Sequence, residues 1–338
     1  MSKAITVLGA GTWGTALARV LAVNGHHVTV WSALPGEVEQ LAATRKHPNL
    51  PGMTIPGNIR FTGDISACAG QDVVLFAVPS IFLRDTAKKA KPYLADGQII
   101  VDVAKGIEPG TLLTMTGVIQ DELQKDGGHQ GIHMVALSGP THAEEVALDM
   151  PTSIISACKD IAVAKEIQQI FMNTCLRPYT NTDVLGVELC GALKNIVALA
   201  SGISAGLGYG DNSRAALITR GMVEMTRLGL AMGCVEQTFS GLAGVGDMIV
   251  TATSTHSRNN NCGRLIGEGM TPEEAVRTVG QTVEGIYALP AALQLAAKYQ
   301  VEMPIVEAVD AIINHHADPA RVALALMMRD PKSEDDRF

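Results

Sequence analysis

The stretch Ala4-Ile5-Thr6-Val7-Leu8-Gly9-Ala10-Gly11-Thr12-Trp13-Gly14-Thr15-Ala16 decides the fold. Ile5 to Leu8 read as a strand, and Thr15 to Val23 as a helical run. Between them Gly9, Gly11 and Gly14 stand in G-x-G-x-x-G spacing. Gly9 permits a tight turn, Gly11 lets a pyrophosphate approach the backbone, and Gly14 allows close packing of the helix. The helix N-terminus then offers its unpaired N–H groups to the anion. An ordinary glycine turn is the competing reading, and the strand before and helix after weigh against it. Gly25 stops the helix, and His27 to Trp31 begin a second strand.

A dinucleotide site selective for NAD carries an Asp or Glu about 20 residues on, which accepts from the ribose hydroxyls. At that place the chain reads Val30-Trp31-Ser32-Ala33-Leu34-Pro35, with neither a carboxylate nor an arginine. The expectation is therefore NAD or NADP, leaning slightly to NADP. Arg45 and Lys46 could meet a 2′-phosphate if their loop folds back, although basic residues in a polar loop are more often merely solvated.

Outward from this loop, short apolar runs alternate with helical patterns: Val28 to Trp31, Val73 to Val78, Ile99 to Val103, Met134 to Leu137 and Ser153 to Ala157. That is the rhythm of a doubly wound parallel sheet covered on both faces. From about Gly186 the strand signals stop. Val187 to Ala205 and Ser213 to Met232 read as long helices. The expected organisation is an α/β dinucleotide-binding domain over 1–185 and an all-α substrate domain over 186–338, with a solvated tail from Ser333.

Composition removes several classes of function. Against 26 Lys and Arg stand 34 Asp and Glu, a net charge of −8 over 338 residues, and only 4% are aromatic. A nucleic-acid surface needs clustered cations or stacking platforms, so none is expected. Six scattered cysteines without a C-x-x-C pair fit a reducing, cytoplasmic setting, and no Cys/His spacing implies a metal. The N-terminal residues read as a strand rather than a leader. No run reaches the roughly 18 apolar residues of a membrane span, so insertion is not expected.

Lys194 is the candidate for acid/base chemistry. One turn before it stand Cys190 and Gly191, and one turn after it Val197 and Ala198, so its helix face is apolar or small. Desolvation there lowers a lysine pKa, as an acid/base near neutral pH requires. The alternative is a stem lying on apolar surface with its ammonium in water. Asn195 adds a donor and an acceptor. Asp247, after the glycine-rich Gly241 to Gly246, could pair with Lys194 or serve as a helix cap. Ser254 to Asn261 gather hydroxyls, amides and the guanidinium of Arg258, a pattern suited to phosphate and also common in plain loops. Lys105 follows a strand at the sheet edge where ligands bind.

Taken together the chain resembles the NAD(P)-dependent glycerol-3-phosphate dehydrogenases of the bacterial biosynthetic type. The resemblance is carried by Gly9 to Ala16, Ala77-Val78-Pro79-Ser80, Ala104 to Glu108, Leu137 to Glu145, Gly186-Val187-Glu188-Leu189, Ala192-Leu193-Lys194-Asn195, Gly210 to Gly221 and Gly244-Val245-Gly246-Asp247. It implies that Thr12, Trp13, Lys105, Ala143, Arg258 and Glu284 contact the dinucleotide, with Pro79-Ser80 bordering it. It implies that Lys105, Gly139, Thr141, Lys194, Asp247, Ser257, Arg258 and Asn259 line a glycerol phosphate site, with Lys194 as acid/base. It further implies a doubly wound domain followed by a helical one, in a homodimer, and hydride transfer between NAD(P)H and dihydroxyacetone phosphate for glycerophospholipid synthesis. Ala33, Asn49 and Thr282 depart from the family pattern. A β-hydroxyacid dehydrogenase of the same plan and a non-catalytic dinucleotide sensor are the alternatives.

Overall fold

The computed structural model describes residues 1–331, 333 and 334. The chain divides into two compact units, one of Met1–Ala104 with Met115–Val184, the other of Lys105–Thr114 with Leu185–Phe338. Segment 105–114 leaves the first unit for the second, an excursion that no sequence signal marks.

The first unit holds eight strands: β1 (Ala4–Leu8), β2 (His27–Trp31), β3 (Arg60–Thr62), β4 (Val73–Phe76), β5 (Ile99–Asp102), β6 (His133–Ser138), β7 (Thr152–Ala157) and β8 (Leu176–Asn181). They form one sheet in the order β3-β2-β1-β4-β5-β6-β7-β8. Its helices are α1 (Thr12–Val23), α2 (Pro35–Thr44), α3 (Ser80–Ala90), α4 (Met115–Gln124), α5 (Ala143–Ala147) and α6 (Ile161–Phe171). Strands β4 and β5 are buried at every residue, as expected where helices cover both faces. The sheet is mixed, which corrects the all-parallel reading: β7 runs antiparallel to β6, and β8 runs parallel to β7. From β1 to β6 every neighbour is parallel. The loops at 9–14, 77–80 and 139–143 therefore leave the same carboxyl edge, where open α/β sheets bind ligands.

In the second unit, residues 105–114 form a small hairpin closed by the Ile107–Thr114 bridge, with Glu108 N donating to Leu113 O at 2.9 Å. Thr114 Oγ1 donates to buried Glu188 Oε2 at 2.8 Å and fixes the hairpin to the next helix. The remaining helices are α7 (Val184–Gly206), α8 (Asp211–Ala231), α9 (Glu236–Phe239), α10 (Asp247–Thr253), α11 (Arg258–Gly267), α12 (Pro272–Val279), α13 (Glu284–Tyr299), α14 (Pro304–Ile313) and α15 (Pro319–Met327). Helix α7 is long and apolar enough to cross a membrane, contrary to the sequence reading, but 89% of its most apolar window is packed inside the protein. In the tail, Ser333 and Glu334 are exposed. The rest of that expectation lies outside the described residues.

Helices α7 and α11 meet backbone to backbone. A Cβ added at Gly202 would lie 2.0 Å from Asn260 O, at Gly206 2.2 Å from Arg264 O, at Gly263 2.1 Å from Leu199 O, and at Gly267 2.3 Å from Ile203 O. Glycines spaced by four on both helices thus interlock, and any side chain there would force them apart. Alanine is normally better than glycine in a helix by about 1 kcal/mol. Gly263→Ala should nevertheless destabilise, because overpacking costs roughly 1–3 kcal/mol or more. Gly36→Ala in α2, where an added Cβ meets nothing within 4 Å, should be neutral or stabilising. Denaturant unfolding of both variants checks this, and effects of the same sign would refute the contact.

Candidate active site

Lys194 lies near the middle of α7 and is 5% exposed, so its ammonium does not reach solvent as the snorkelling alternative requires. Its Nζ donates to Thr251 Oγ1 and lies 2.8 Å from Asp247 Oδ1. The other oxygen of that carboxylate, Oδ2, accepts from Lys105 Nζ at 2.7 Å. Asp247 is 1% exposed, and its carboxylate serves two lysines, which decides against a surface-cap role.

The local backbone explains this aim. A widened, π-helical turn over Leu242–Gly246 delivers Asp247 to the first position of α10, and a Cβ at Gly244 would collide with Phe239 O. One turn later Thr251 Oγ1 donates to Asp247 O at 2.6 Å, which leaves its lone pairs for the lysine. Thr251 was missed in the sequence, although its i+4 spacing from Asp247 places it on the same helix face. Glu188 was missed too, hidden in an apolar run that gives a carboxylate no obvious partner.

Burial lowers the Lys194 pKa to about 7, with Asp247 pulling it up and the positive charge of Lys105 pushing it further down. Two cations around one carboxylate leave a net positive site, suited to an anionic or electron-rich oxygen. An acid/base with this pKa exchanges protons readily at neutral pH.

Along α11, Ser257 caps the helix by accepting from Asn260 N at 3.2 Å and can still donate its own proton. Arg258 is exposed at the first helical position, so a guanidinium and a helix N-terminus stand together. Asn259 is buried, donating to Asn195 Oδ1 at 3.0 Å and accepting from Gly285 N at 2.9 Å. It therefore pins α7, α11 and α13 together. Asn195 also donates to Gly191 O at 3.2 Å. Glu284, half-buried, opens α13 beside this junction.

The other expected residues lie in the first unit. Thr12 and Trp13 form the first turn of α1, and Trp13 packs partly on the core. Gly139, with φ +151°, follows β6, and Thr141 Oγ1 donates to Gly139 O at 3.1 Å. Buried Ala143 starts α5, which packs on α1. The loop between β1 and α1 fits a dinucleotide. A Cβ at Gly9 would lie 2.5 Å from Ala77 O and one at Gly14 2.1 Å from Gly9 O, whereas one at Gly11 would meet nothing within 4 Å. Protein packing explains the first and third glycines. The second, at the N-cap of α1, leaves open space where a ligand can approach the backbone. Arg45 does not fold back toward a 2′-phosphate: its guanidinium donates to Ile59 O at 2.6 Å and lies 5.6 Å from the centre of the Phe61 ring. Lys46 is exposed.

Residues 4–164 match the family model described as NAD-dependent glycerol-3-phosphate dehydrogenase N-terminus, and 183–323 the corresponding C-terminus. A Lactobacillus delbrueckii subsp. bulgaricus protein named glycerol-3-phosphate dehydrogenase [NAD(P)+] 2 is 66% identical over 331 residues, covering 98% of each chain. One from Agathobacter rectalis, glycerol-3-phosphate dehydrogenase [NAD(P)+], is 47% identical over 333 residues, covering 98% of this chain and 97% of that one. Among solved structures, glycerol-3-phosphate dehydrogenase from Coxiella burnetii superposes with a TM-score of 0.90 at 35% identity, covering 97% of this chain and 99% of that one. These relatives do not favour the hydroxyacid or sensor alternatives.

The charge arrangement has a direct test. Lys105→Met removes a repelling cation, so Lys194 should titrate above its present value of about 7. NMR titration of the lysine side chains measures this, and an unchanged or lower value would overturn the assignment.

Proposed function

We propose, since the chain belongs to the NAD-dependent glycerol-3-phosphate dehydrogenase family, that it interconverts dihydroxyacetone phosphate and sn-glycerol 3-phosphate with NAD(P)H as hydride donor. The observation that carries the mechanism is the buried Lys194–Asp247–Lys105 cluster. When bound, the nicotinamide supplies or accepts the hydride at C2 of the substrate. Lys194 gives its proton to the carbonyl oxygen during reduction and takes it from the hydroxyl during oxidation. Asp247 and Thr251 hold the ammonium in place, and Lys105 adds positive charge where the oxygen becomes an alkoxide. Arg258, with the α11 N-terminus, Ser257 and Asn259, takes the phosphate, so binding remote from C2 orients the reacting carbon. The resemblance to the family assigns Gly139 and Thr141 to the substrate, and Thr12, Trp13, Ala143 and Glu284 to the dinucleotide.

The reading extends to a cytoplasmic supply of glycerol 3-phosphate for phospholipid synthesis, and to a homodimer. Leu324, Met327 and Met328, 62%, 83% and 77% exposed on or beside α15, provide apolar surface of the kind that subunit contacts cover.

Dihydroxyacetone phosphate should oxidise the reduced cofactor, and Lys194→Ala should lower turnover by roughly 10²- to 10⁴-fold, the worth of a positioned acid. The sign with pH follows from which form of Lys194 reacts. Reduction needs the ammonium and falls as pH rises through about 7, while oxidation needs the amine and rises there. A folded, cofactor-binding Lys194→Ala enzyme of normal rate would show that another group is the acid.

Arg258→Ala should cost roughly 10- to 100-fold in kcat/KM for dihydroxyacetone phosphate, the worth of a charge-assisted contact. It should change turnover of unphosphorylated dihydroxyacetone little. Equal losses on both substrates would remove Arg258 from the phosphate site.

A further inference from the structure

The end of β2 holds a carboxylate that the linear sequence hides. Gly9 N donates to Trp31 O at 2.9 Å, so Ser32, the next residue, runs beside the loop between β1 and α1. The adenosine ribose of a dinucleotide rests there in a doubly wound sheet. The usual spacing finds only Ser32 and Ala33 at this place. The chain then reverses: Leu34 N donates to Ser32 Oγ at 3.1 Å, α2 starts at Pro35, and the first turn of α2 carries Glu37 back. Ser32 Oγ donates to Glu37 Oε2 at 2.5 Å. Five residues late in sequence, an acid has reached the ribose end of the strand.

Among the described residues, no lysine or arginine lines the depression beside Glu37. Glu37 lines a depression of about 360 Å³ together with Leu34, Pro35, Leu41, His47 and Asn49. His47 is buried and hydrogen-bonds the backbone of Ala10 in the glycine loop, and burial lowers its pKa, which keeps it neutral. Arg45 is spent on the carbonyls of Ile59 and Pro56. Glu37 is half-buried and is held by Ser32 through one of its oxygens, Oε2.

We infer that Glu37, positioned by Ser32, reads the ribose 2′ position and makes this chain select NAD(H) over NADP(H). The inference rests on the dehydrogenase reading only in requiring that a dinucleotide binds. A 2′-hydroxyl donates to the carboxylate. A 2′-phosphate would set further negative charge against it.

Calorimetric titration with adenosine 5′-monophosphate and with adenosine 2′,5′-bisphosphate tests this without turnover. The wild-type chain should bind the monophosphate at least about tenfold more tightly, the factor expected from a modest like-charge penalty. Glu37→Gln should erase the preference, Glu37→Asp should retain it, and Ala33→Arg combined with Glu37→Gln should reverse it. Steady-state kinetics with NADH and NADPH on dihydroxyacetone phosphate should follow the same order. Equal or tighter binding of the bisphosphate by the wild-type chain overturns the inference, as does an unchanged preference in Glu37→Gln. Selective binding without turnover would sink the dehydrogenase reading and leave Glu37 in its role. Turnover without selectivity would do the reverse.

Discussion

The burial of one ammonium organises the helical unit. Lys194 sits inside a helix whose residues 186 to 199 are all buried, and water cannot solvate its charge there. A charge in that position must be paired or give up its proton. The chain does part of each: Asp247 and Thr251 meet the ammonium, while burial and Lys105 weaken its hold on the proton. Every neighbouring element serves that compromise. The widened turn before α10 places the carboxylate, and the hairpin tied to Glu188 carries Lys105.

A buried ion pair of this kind is weak evidence for stability, because the desolvation of both groups offsets their attraction. A leucine and its apolar neighbours would fill the same volume at lower cost. The cluster makes sense as chemistry: one carboxylate shared by two lysines holds both at fixed separation, and the surplus positive charge stays where a substrate oxygen gains electron density. The glycines contribute rigidity of a different sort. At backbone contact α7 and α11 have no side-chain layer to adjust, and Asn259 joins the same two helices by donating to Asn195 Oδ1.

What could be read from the residues divides along physical lines. The glycine loop, the core strands and the long helices announce themselves because their signals are local: spacing, apolar runs, an anomalous lysine. Strand β8 was hidden because Arg177 and Pro178 break its apolar pattern, and proline is tolerated there since β8 is the sheet edge. Strand β3 is three residues long, too short for any periodicity. The direction of β7 cannot be read from alternation, which is the same in both senses. Lys194, Asp247 and Lys105 were each singled out, but the carboxylate between the two lysines depends on residues 142 apart in sequence. Glu37 was missed for a nearer reason, a chain reversal of five residues that a fixed spacing rule ignores.

The excursion of residues 105–114 makes the polypeptide pass between its two units at 104/105, 114/115 and 184/185. The helical half is therefore not a transferable cassette. Severed at residue 185, it would keep Lys194, Asp247 and Thr251 but lose the second lysine and the threonine that satisfies Glu188. Recombination between relatives that treats residue 185 as a clean seam would mix one parent's cation with the other parent's carboxylate. The two parts of the sequence are thus coupled through ten residues, 105–114, that lie within the span of the first unit.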